Sequence, residues 1–361
     1  MKTHRIAIIG VGAIANMHAK AIGDLDNAEL IAGSCRTESK GRAFAENYGC
    51  RWYDQYARML DEEKPDLVTI ATPSGAHLEP TLACADRRIH VLCEKPLEIT
   101  TARMDQMIEH ARAAGIVFGG IFPQRFNPVV QAVYDAAARG RFGQLAVVNA
   151  AVPWWRDDAY YAPGRWQGTR RLDGGGALMN QSIHAVDMLQ WIAAAAIGGA
   201  GPEENPVEQV FALTAQRGHD PDLIEVEDTA TAVVRFRGGA LGQVLGATSM
   251  YPGTLKRFLI AGRNGTAEIL EDELTEYEFK ESLPEDEAVR ERFAGPTTSG
   301  GGVSDPMAIG YSNHTRNIAD FLEAVDCGEE PSLDGRQARK AVAIIEAMYD
   351  SAQCGRPVDV K

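Results

Sequence analysis

Apolar strand-like runs alternate with helical patterns through the first 120 or so residues, and this alternation constrains the fold more than any other feature. It begins with RIAIIG (5–10) and ANMHAKAIGDL (15–25) and continues as far as IVFGGIF (116–122). The strands are nearly continuous apolar runs, which is typical of parallel strands that are covered on both faces. The pattern therefore predicts an α/β fold with a doubly wound parallel sheet in the N-terminal part of the chain.

The pattern changes after PQRFNP (123–128), where a glycine-rich turn and a helix at 177–195 are followed by several long strands. Strands such as DTATAVVRFRGG (228–239) alternate apolar and polar residues, which predicts a large open, mainly antiparallel sheet with one covered face. We therefore expect two domains. A Rossmann domain would span 1–124, and a C-terminal α/β domain would span 125–361, with its final helices packing back toward the first domain.

Composition and charge exclude several classes of partner. The 361 residues carry a formal net charge of −14 without a block of Lys or Arg, so we expect neither nucleic acid nor an anionic membrane to bind. No apolar run approaches the ~20 residues of a membrane span. Because MKTHR runs directly into the first strand, we expect no secretory signal. Six scattered cysteines without metal spacing indicate reduced thiols and a cytoplasmic protein.

A GxGxxA turn, GVGAIA (10–15), lies directly between the first strand and the first helix. Gly10 would permit the tight turn, and Gly12 would let the backbone approach a pyrophosphate. Ala15 would keep the helix close to the strand, and the N–H groups at the helix N-terminus would bind phosphate. The turn predicts a dinucleotide site, although glycines also end strands for structural reasons. The expected loop comprises Gly10, Val11, Gly12, Ala13, Ile14 and Ala15.

The end of the second strand bears on the choice of cofactor. A site for NAD usually has Asp or Glu there to bind the ribose 2′-hydroxyl, but this chain has Ser34, Cys35 and Arg36, with Lys40 one helical turn later. Such side chains could bind a 2′-phosphate, so the sequence favours NADP slightly over NAD. In the alternative interpretation, Arg36 stacks on adenine or faces solvent, and other contacts hold NAD.

Two further segments follow parallel strands at the carboxyl edge of the sheet, where ligands of such sheets bind. They are ATPSGAHLEP (71–80) and CEKPLEIT (93–100). A lysine fixed before a proline at a strand end is poorly explained as a solvated charge, although a structural Glu–Lys turn is the alternative. Gln124 at the domain junction could contact nicotinamide. The further cofactor-binding residues that we expect are Ala71, Thr72, Pro73, Ser74, His77, Glu94, Lys95 and Gln124.

The segment DGGGALMNQSIHAVDMLQWI (173–192) places Asn180 and His184 four residues apart, on one face of the predicted helix. Asp187 follows on roughly the same face. A lone histidine on an amphipathic helix is more often a core residue than a catalyst. The N-x3-H-x2-D pattern also fits ordinary metal-ligand sets poorly, so we expect no metal.

These motifs in this order resemble those of the Gfo/Idh/MocA oxidoreductases, named after glucose–fructose oxidoreductase and inositol dehydrogenase. The resemblance covers GxGxxA, EKP and GGGALMNQSIH..D, and it extends over almost the whole chain. It implies an N-terminal Rossmann domain and a C-terminal α/β domain whose open sheet commonly forms an oligomer interface. A homodimer or homotetramer through that sheet is therefore expected.

The resemblance also implies catalytic roles. Lys95 would reach the reacting hydroxyl and the nicotinamide ribose, and His184 would be the usual proton acceptor. The position four before this histidine is usually Asp in the family, whereas Asn180 offers only neutral hydrogen bonds here. Either His184 is the base and Lys95 stabilises the alkoxide, or Lys95 takes the proton with its pKa lowered by desolvation.

On the substrate side, WWRDDAYYAPGRWQGTRRLDGGG (154–176), hereafter the aromatic loop, combines three Trp and two Tyr with four Arg. It is interpreted as a lid suited to a polyhydroxylated ring or a carboxylate, the alternative being a buried aromatic cluster. In the family a histidine of the YSNHTRN segment also approaches the pocket, although it could equally be a surface residue. The candidates are Trp155, Arg156, Tyr161, Arg165, Trp166 and His314.

Together these features predict an NAD(P)-dependent oxidoreductase acting on a secondary alcohol or ketone of a sugar, sugar derivative or cyclitol. A glycoside hydrolase of the same fold, which oxidises its substrate transiently with bound NAD, is one alternative. A non-catalytic nucleotide-binding regulator is another, disfavoured by Lys95 and His184 because a sensor needs no acid–base pair.

Overall fold

The chain divides into two compact units. Residues 1–123 and 310–339 form the first, and residues 124–309 and 340–361 form the second. The first unit is therefore assembled from two separate stretches of sequence. The computed structural model describes residues 2–198, 204–293, 295 and 310–361.

Six parallel strands form the sheet of the first unit, in the order β3-β2-β1-β4-β5-β6. This confirms the doubly wound parallel sheet predicted from the sequence. The strand order reverses between β1 and β4, and ligands of such sheets bind at the carboxyl ends of the strands beside this reversal. The three-residue β3 was not predicted, because so short a run carries no periodic signal. The strands are β1 (His4–Ile9), β2 (Ala28–Ser34), β3 (Arg51–Tyr53), β4 (Leu67–Ile70), β5 (His90–Glu94) and β6 (Phe118–Ile121).

Helices of the first unit bury their apolar sides in a core that continues through the sheet. Ile6, Ile8 and Leu92 are fully buried in it, and so are Phe321 and Leu322 from the last part of the sequence. The backbone N–H of Phe122 donates to the Asn317 side chain, which ties these two stretches together. The helices are α1 (Ala13–Gly23), α2 (Glu38–Tyr48), α3 (Tyr56–Glu63), α4 (Leu78–Ala85), α5 (Thr101–Ala114) and, after the second unit, α9 (Ser312–Cys327).

The second unit contains an eight-stranded sheet in the order β13-β12-β11-β7-β10-β9-β8-β14. Its ladders are antiparallel except for the pair β7 and β10, which confirms the mainly antiparallel sheet. The strands are β7 (Leu145–Pro153), β8 (Val207–Ala215), β9 (Thr229–Phe236), β10 (Leu241–Ala247), β11 (Arg257–Gly262), β12 (Gly265–Leu270), β13 (Glu273–Phe279) and β14 (Val358–Asp359).

One face of this sheet is covered and the other leaves apolar side chains exposed. In β9 every second residue is buried, as period-two patterning predicts. On the opposite face Leu213, Val233 and Leu241 each expose more than half of their surface. The remaining helices are α6 (Pro128–Ala138), α7 (Ile183–Ile197), α8 (Pro284–Phe293) and α10 (Gly335–Cys354).

In the described part of the chain, no helix is long and apolar enough to cross a membrane. All six cysteines are free thiols.

Candidate active site

The GxGxxA turn joins β1 to α1, and its backbone requires glycine at the first position. Gly10 has φ +98°, and a Cβ there would lie 2.6 Å from the Ala71 carbonyl and the Thr72 nitrogen. Gly12 has open space where a Cβ would point, and it precedes α1 without a side-chain cap. The first N–H groups of α1 are therefore open to an anion, and the cradle fits a dinucleotide pyrophosphate. Ala15 is buried against the sheet, while Val11, Ala13 and Ile14 complete the loop.

At the end of β2, none of the four residues from Gly33 to Arg36 carries a carboxylate. Ser34 is buried and accepts the Gly10 backbone N–H through its carbonyl, while Arg36 is exposed. The Trp52 indole N–H donates to the Cys35 carbonyl at 3.2 Å, which holds this strand end against the β3 strand. The position that would bind a ribose 2′-hydroxyl thus offers a hydroxyl, a thiol and a guanidinium.

Between β4 and α4, His77 bridges the two predicted edge segments. Its Nε2 lies 2.9 Å from the Thr72 carbonyl, and its Nδ1 lies 2.9 Å from the Pro96 carbonyl. Ser74 is buried nearby, and Ala71 and Pro73 lie in the same turn. Because His77 is itself buried with both nitrogens engaged, its observed role is to fix the backbone beside Lys95.

Lys95 follows the last residue of β5 and is half-buried. Its backbone N–H donates to Glu94 Oε2 at 3.1 Å, and Glu94 Oε1 lies 2.9 Å from Nε2 of the buried His18. Burial raises the pKa of Glu94, but the hydrogen bond from His18 and the nearby charges outweigh it and lower the pKa to about 2. An anionic carboxylate therefore lies directly beside the lysine of the EKP motif.

His314, at the start of α9, is buried in the first unit, so its interpretation as a surface residue is wrong. Its Nε2 lies 4.0 Å from Glu94 Oε1, and its ring packs on His18 with centroids 5.9 Å apart. Burial lowers the pKa of His314 to about 4, so the ring is neutral near pH 7. The ligand atoms of His18, Glu94 and His314 lie within 4.8 Å of one another, so a metal could bind only by displacing the His18–Glu94 contact.

Gln124 and Arg125 open the second unit. The buried Gln124 Oε1 has no hydrogen-bond partner among the described residues, which leaves an acceptor for a group such as a carboxamide. Arg125 donates to both oxygens of Asp187, at 2.7 and 2.6 Å, and both side chains are buried. Asp187 therefore belongs to a buried ion pair with Arg125. Its role differs from those expected of Asn180 and His184.

The glycine run ends in a turn of π-helix over Ala177–Ser182, and α7 begins only at Ile183. The sequence predicted a regular helix at 177–195, and the difference arises at its N-terminus. A Cβ on Gly176 would overlap the Glu227 carbonyl oxygen, so the backbone passes too close for any side chain. The Glu227 carboxylate accepts the backbone N–H groups of Gly176 and Leu178, at 3.0 and 2.9 Å. Widened turns of this kind are frequent at functional sites.

Asn180 lies in this turn, and its side chain is hydrogen-bonded to a neighbouring carboxyl group. Its Nδ2 donates to Asp173 Oδ1 at 2.5 Å, and its Oδ1 accepts from Gln181 Nε2 at 3.1 Å. Asp173 is buried and also accepts the Gly168 backbone N–H. His184, half-buried, follows in the first turn of α7. Asn180 is thus held by a hydrogen bond to the buried side chain of Asp173.

The aromatic loop joins the same network through Arg156. This buried guanidinium donates to Gln181 Oε1 at 2.9 Å and to the Trp155 carbonyl at 2.8 Å. Gln181 Nε2 in turn donates to the Tyr160 hydroxyl at 3.0 Å. Asn180 is therefore linked through hydrogen bonds to the loop that we expect to bind substrate.

The other predicted substrate residues differ in exposure. Tyr161 is buried and donates to Thr248 Oγ1 at 3.0 Å, and Trp155 is half-buried. Trp166 is half-buried and Arg165 is exposed. The loop thus combines a buried aromatic cluster with accessible side chains, rather than being one or the other.

Several residues of these networks were not predicted from the sequence. Asp173 is adjacent to the glycine run, and its one sequence signal is the missing acid four residues before His184. Tyr160 and Gln181 lie inside the predicted motifs, but their contacts cannot be read from residue spacing. His18 pairs with Glu94 across 76 positions.

Models of known protein families match nearly the whole chain. Residues 4–120 match the oxidoreductase family described as having an NAD-binding Rossmann fold, and residues 135–360 match its C-terminal alpha/beta domain. Myo-inositol 2-dehydrogenase of Thermotoga maritima is 27% identical, covering 99% of this chain and 98% of that protein.

Two solved structures are similar over the full chain. The WlbA dehydrogenase of Bordetella pertussis, in complex with NADH and UDP-GlcNAcA, is 28% identical, covers 100% of this chain and 98% of that one, and has a TM-score of 0.87. The WlbA dehydrogenase of Chromobacterium violaceum, with the same ligands, is 30% identical, covers 100% and 97%, and has a TM-score of 0.86. The resemblance noted in the sequence is confirmed, and the chain belongs to the Gfo/Idh/MocA family of oxidoreductases.

Proposed function

We propose that this chain transfers hydride between a nicotinamide dinucleotide and a secondary alcohol or ketone of a sugar, sugar derivative or cyclitol. The observation that carries the proposal is Lys95, fixed beside the anionic Glu94 at the carboxyl edge of a sheet with an open GxGxxA cradle. A bound nicotinamide would supply the hydride acceptor or donor. The relatives support the substrate class, because myo-inositol 2-dehydrogenase is among them.

The proposed catalytic residues are Lys95, His184 and Asn180. His184 accepts the proton of the substrate hydroxyl, and the ammonium of Lys95 stabilises the developing negative charge on oxygen. Asn180 orients the hydroxyl, and the hydrogen bond to Asp173 fixes the rotamer of its carboxamide.

The proposed cofactor-binding residues are the GxGxxA loop, the edge segment 71–77, Lys95 and Gln124. Ser34, Cys35 and Arg36 favour NADP, because none of them would repel a 2′-phosphate. Two similar structures contain NADH, so NAD is the alternative cofactor, and both cofactors should be tested.

The proposed substrate surface is the aromatic loop. Trp155, Trp166 and Arg165 offer accessible aromatic and guanidinium groups, which suit a sugar ring and a carboxylate. Arg156 and Tyr161 are buried and hold the loop in place. His314 stays a predicted substrate residue.

Incubation with NAD and NADP, each with a panel of myo-inositol, glucosides and UDP-GlcNAcA, tests the proposal. We expect substrate-dependent formation of reduced nicotinamide, followed by its ultraviolet absorbance. K95M should abolish turnover and retain cofactor binding, whereas K20M, at an exposed helical lysine of the same unit, should match the wild type. Glycoside cleavage without accumulation of reduced cofactor would identify the hydrolase alternative. Cofactor binding without turnover of any substrate would instead identify a regulator.

We also propose that the chain forms a homodimer or homotetramer through the open face of the eight-stranded sheet. The exposed side chains of Leu213, Val233 and Leu241 support this, because large apolar residues exposed together on one face of a sheet are typical of an interface. Light scattering of the V233E variant should show a smaller assembly than the wild type.

A further inference from the structure

His219 lies between β8 and β9, outside all of the predicted motifs, and its side chain is completely buried. Its Nδ1 lies 3.1 Å from Asp228 Oδ2, and its Nε2 lies 2.7 Å from the backbone carbonyl of Arg156. The ring therefore connects the turn after β8 to the aromatic loop.

Both ring nitrogens of His219 face acceptors, and the protonation states of the ring differ in how many of these contacts they satisfy. A neutral imidazole has one N–H, so it could donate to the carboxylate or to the carbonyl but not to both. An imidazolium has two N–H groups and satisfies both contacts. Only the imidazolium donates to both acceptors, so the geometry favours a buried positive charge on His219.

Asp228 is the counter-ion of this charge, and its surroundings keep it ionised. Its oxygens accept the backbone N–H groups of Arg217, Gly218 and His219, at 2.8 to 3.0 Å, and the Thr229 hydroxyl at 2.8 Å. Burial raises the pKa of Asp228, but the bond from His219 and these donors outweigh it and leave the pKa well below its usual range.

Two aromatic rings of the aromatic loop complete the enclosure. Trp155 stacks on the His219 ring with centroids 5.6 Å apart, and Tyr161 meets it at 73° with centroids 4.9 Å apart. Aromatic faces attract cations, most strongly where water is excluded. The same charge therefore holds three residues of the loop: Trp155, Tyr161 and, through its carbonyl, Arg156.

We propose that His219 is a positioning residue which, as an imidazolium, fastens the aromatic loop in its substrate-binding conformation, so that loss of its proton weakens substrate binding. The inference rests on the proposed function for the role of the loop, but the protonation state and the fastening are properties of the free protein.

The direction of the pH dependence follows from the groups that face His219. Asp228 and Asp158 bring negative charge, Tyr161 brings a phenol ring, and Arg156 brings a carbonyl, with its guanidinium directed to Gln181. Burial lowers the pKa of His219, but the hydrogen bonds to Asp228 and Arg156 outweigh it, and the net shift is upward from 6.5. The stabilisation of the aromatic loop by the His219 imidazolium is therefore fully present below pH ~6.5. It is lost as the pH rises through the pKa of His219 in the folded protein.

Nuclear magnetic resonance of the protein labelled at the histidine ring carbon tests the charge directly. The chain has eight histidines, and the resonance that disappears in H219Q identifies His219. We expect it to titrate with a midpoint above 6.5. A midpoint at or below 6.5 would overturn the inference.

Amide exchange of the free protein tests the fastening. The Arg156 N–H donates to the Thr248 carbonyl, so its exchange reports whether the loop is held. H219F keeps a ring and removes both donors, and we expect the peptide containing Arg156 to exchange at least ~10-fold faster. H110Q is the matched control, since His110 also contacts an aspartate but lies exposed on α5. Wild-type exchange in H219F would contradict the proposal.

Kinetics then separates positioning from catalysis. We expect H219F to raise KM about 10-fold with little change in kcat, and the wild-type KM to rise above the measured midpoint. An equal fall in kcat with unchanged KM would overturn the positioning role. If no substrate is turned over at all, the proposed function fails, whereas titration and exchange still decide on His219.

Discussion

Replacing Asp187 with alanine leaves Arg125 buried without its counter-ion. In the wild type the guanidinium donates to both carboxylate oxygens, at 2.7 and 2.6 Å, and stacks over Trp191 with 5.0 Å to the ring centroid. Breaking a buried pair from one side costs ~3–5 kcal/mol, because an uncompensated charge remains in the interior. With a urea slope of about 2–3 kcal/mol/M, the unfolding midpoint should fall by about 1–2.5 M.

Tryptophan fluorescence during urea unfolding measures this effect in the correct unit. Four of the five tryptophans, all except Trp52, belong to the second unit, and Trp191 itself contacts Arg125. The double variant R125M/D187L removes both charges and should recover most of the loss, since apolar replacement of a buried ion pair is often neutral. E287A removes an exposed partner of Arg290 and should leave the midpoint near that of the wild type. A double variant as unstable as D187A would refute the argument from an unpaired charge.

Three further predictions concern the proposed site. H184A should lower kcat by ~10²–10⁴ with cofactor binding intact, as loss of a general base requires, and a fall of only a few-fold would contradict the assignment. C35D should shift the ratio of NADP to NAD turnover toward NAD, because a carboxylate repels a 2′-phosphate, and an unchanged ratio would refute the preference for NADP. G10A should abolish cofactor binding measured by calorimetry, since its Cβ would lie 2.6 Å from the Ala71 carbonyl, whereas G23A, with open space around it, should bind normally.

The fold of the first unit could be predicted because its signals are local. Each buried parallel strand is a continuous apolar run, and GVGAIA marks a strand-to-helix turn whose backbone only glycine can adopt at Gly10. The short β3 strand and the burial of His314 escaped prediction for the opposite reason. Three residues show no period, and burial of His314 depends on α9 packing in a core whose members outside α9 all lie before residue 122 in the sequence.

The arrangement of Asn180 and His184 in the second unit could not be predicted, because it depends on local backbone geometry. A four-residue spacing places Asn180 and His184 on one face of a regular helix, but the π-turn changes that relation, and it arises where Gly176 approaches the Glu227 carbonyl. The role of Asp173 also depends on this turn, because it carries the Asn180 carboxamide to the carboxylate. Contacts of this kind are fixed by tertiary packing and leave no periodic trace.

The division of the first unit between two stretches of sequence has a consequence for its synthesis. Ile318, Phe321 and Leu322 belong to the core built on β1 and β5, yet the ribosome adds them about 200 residues after β6. At about 5–20 residues per second, that core waits for ~10–40 s after its sheet has emerged. During this interval the apolar surface that α9 later covers is open to the surroundings. A nascent chain of this protein therefore presents a half-finished Rossmann domain to chaperones, however early its glycine-rich turn has formed.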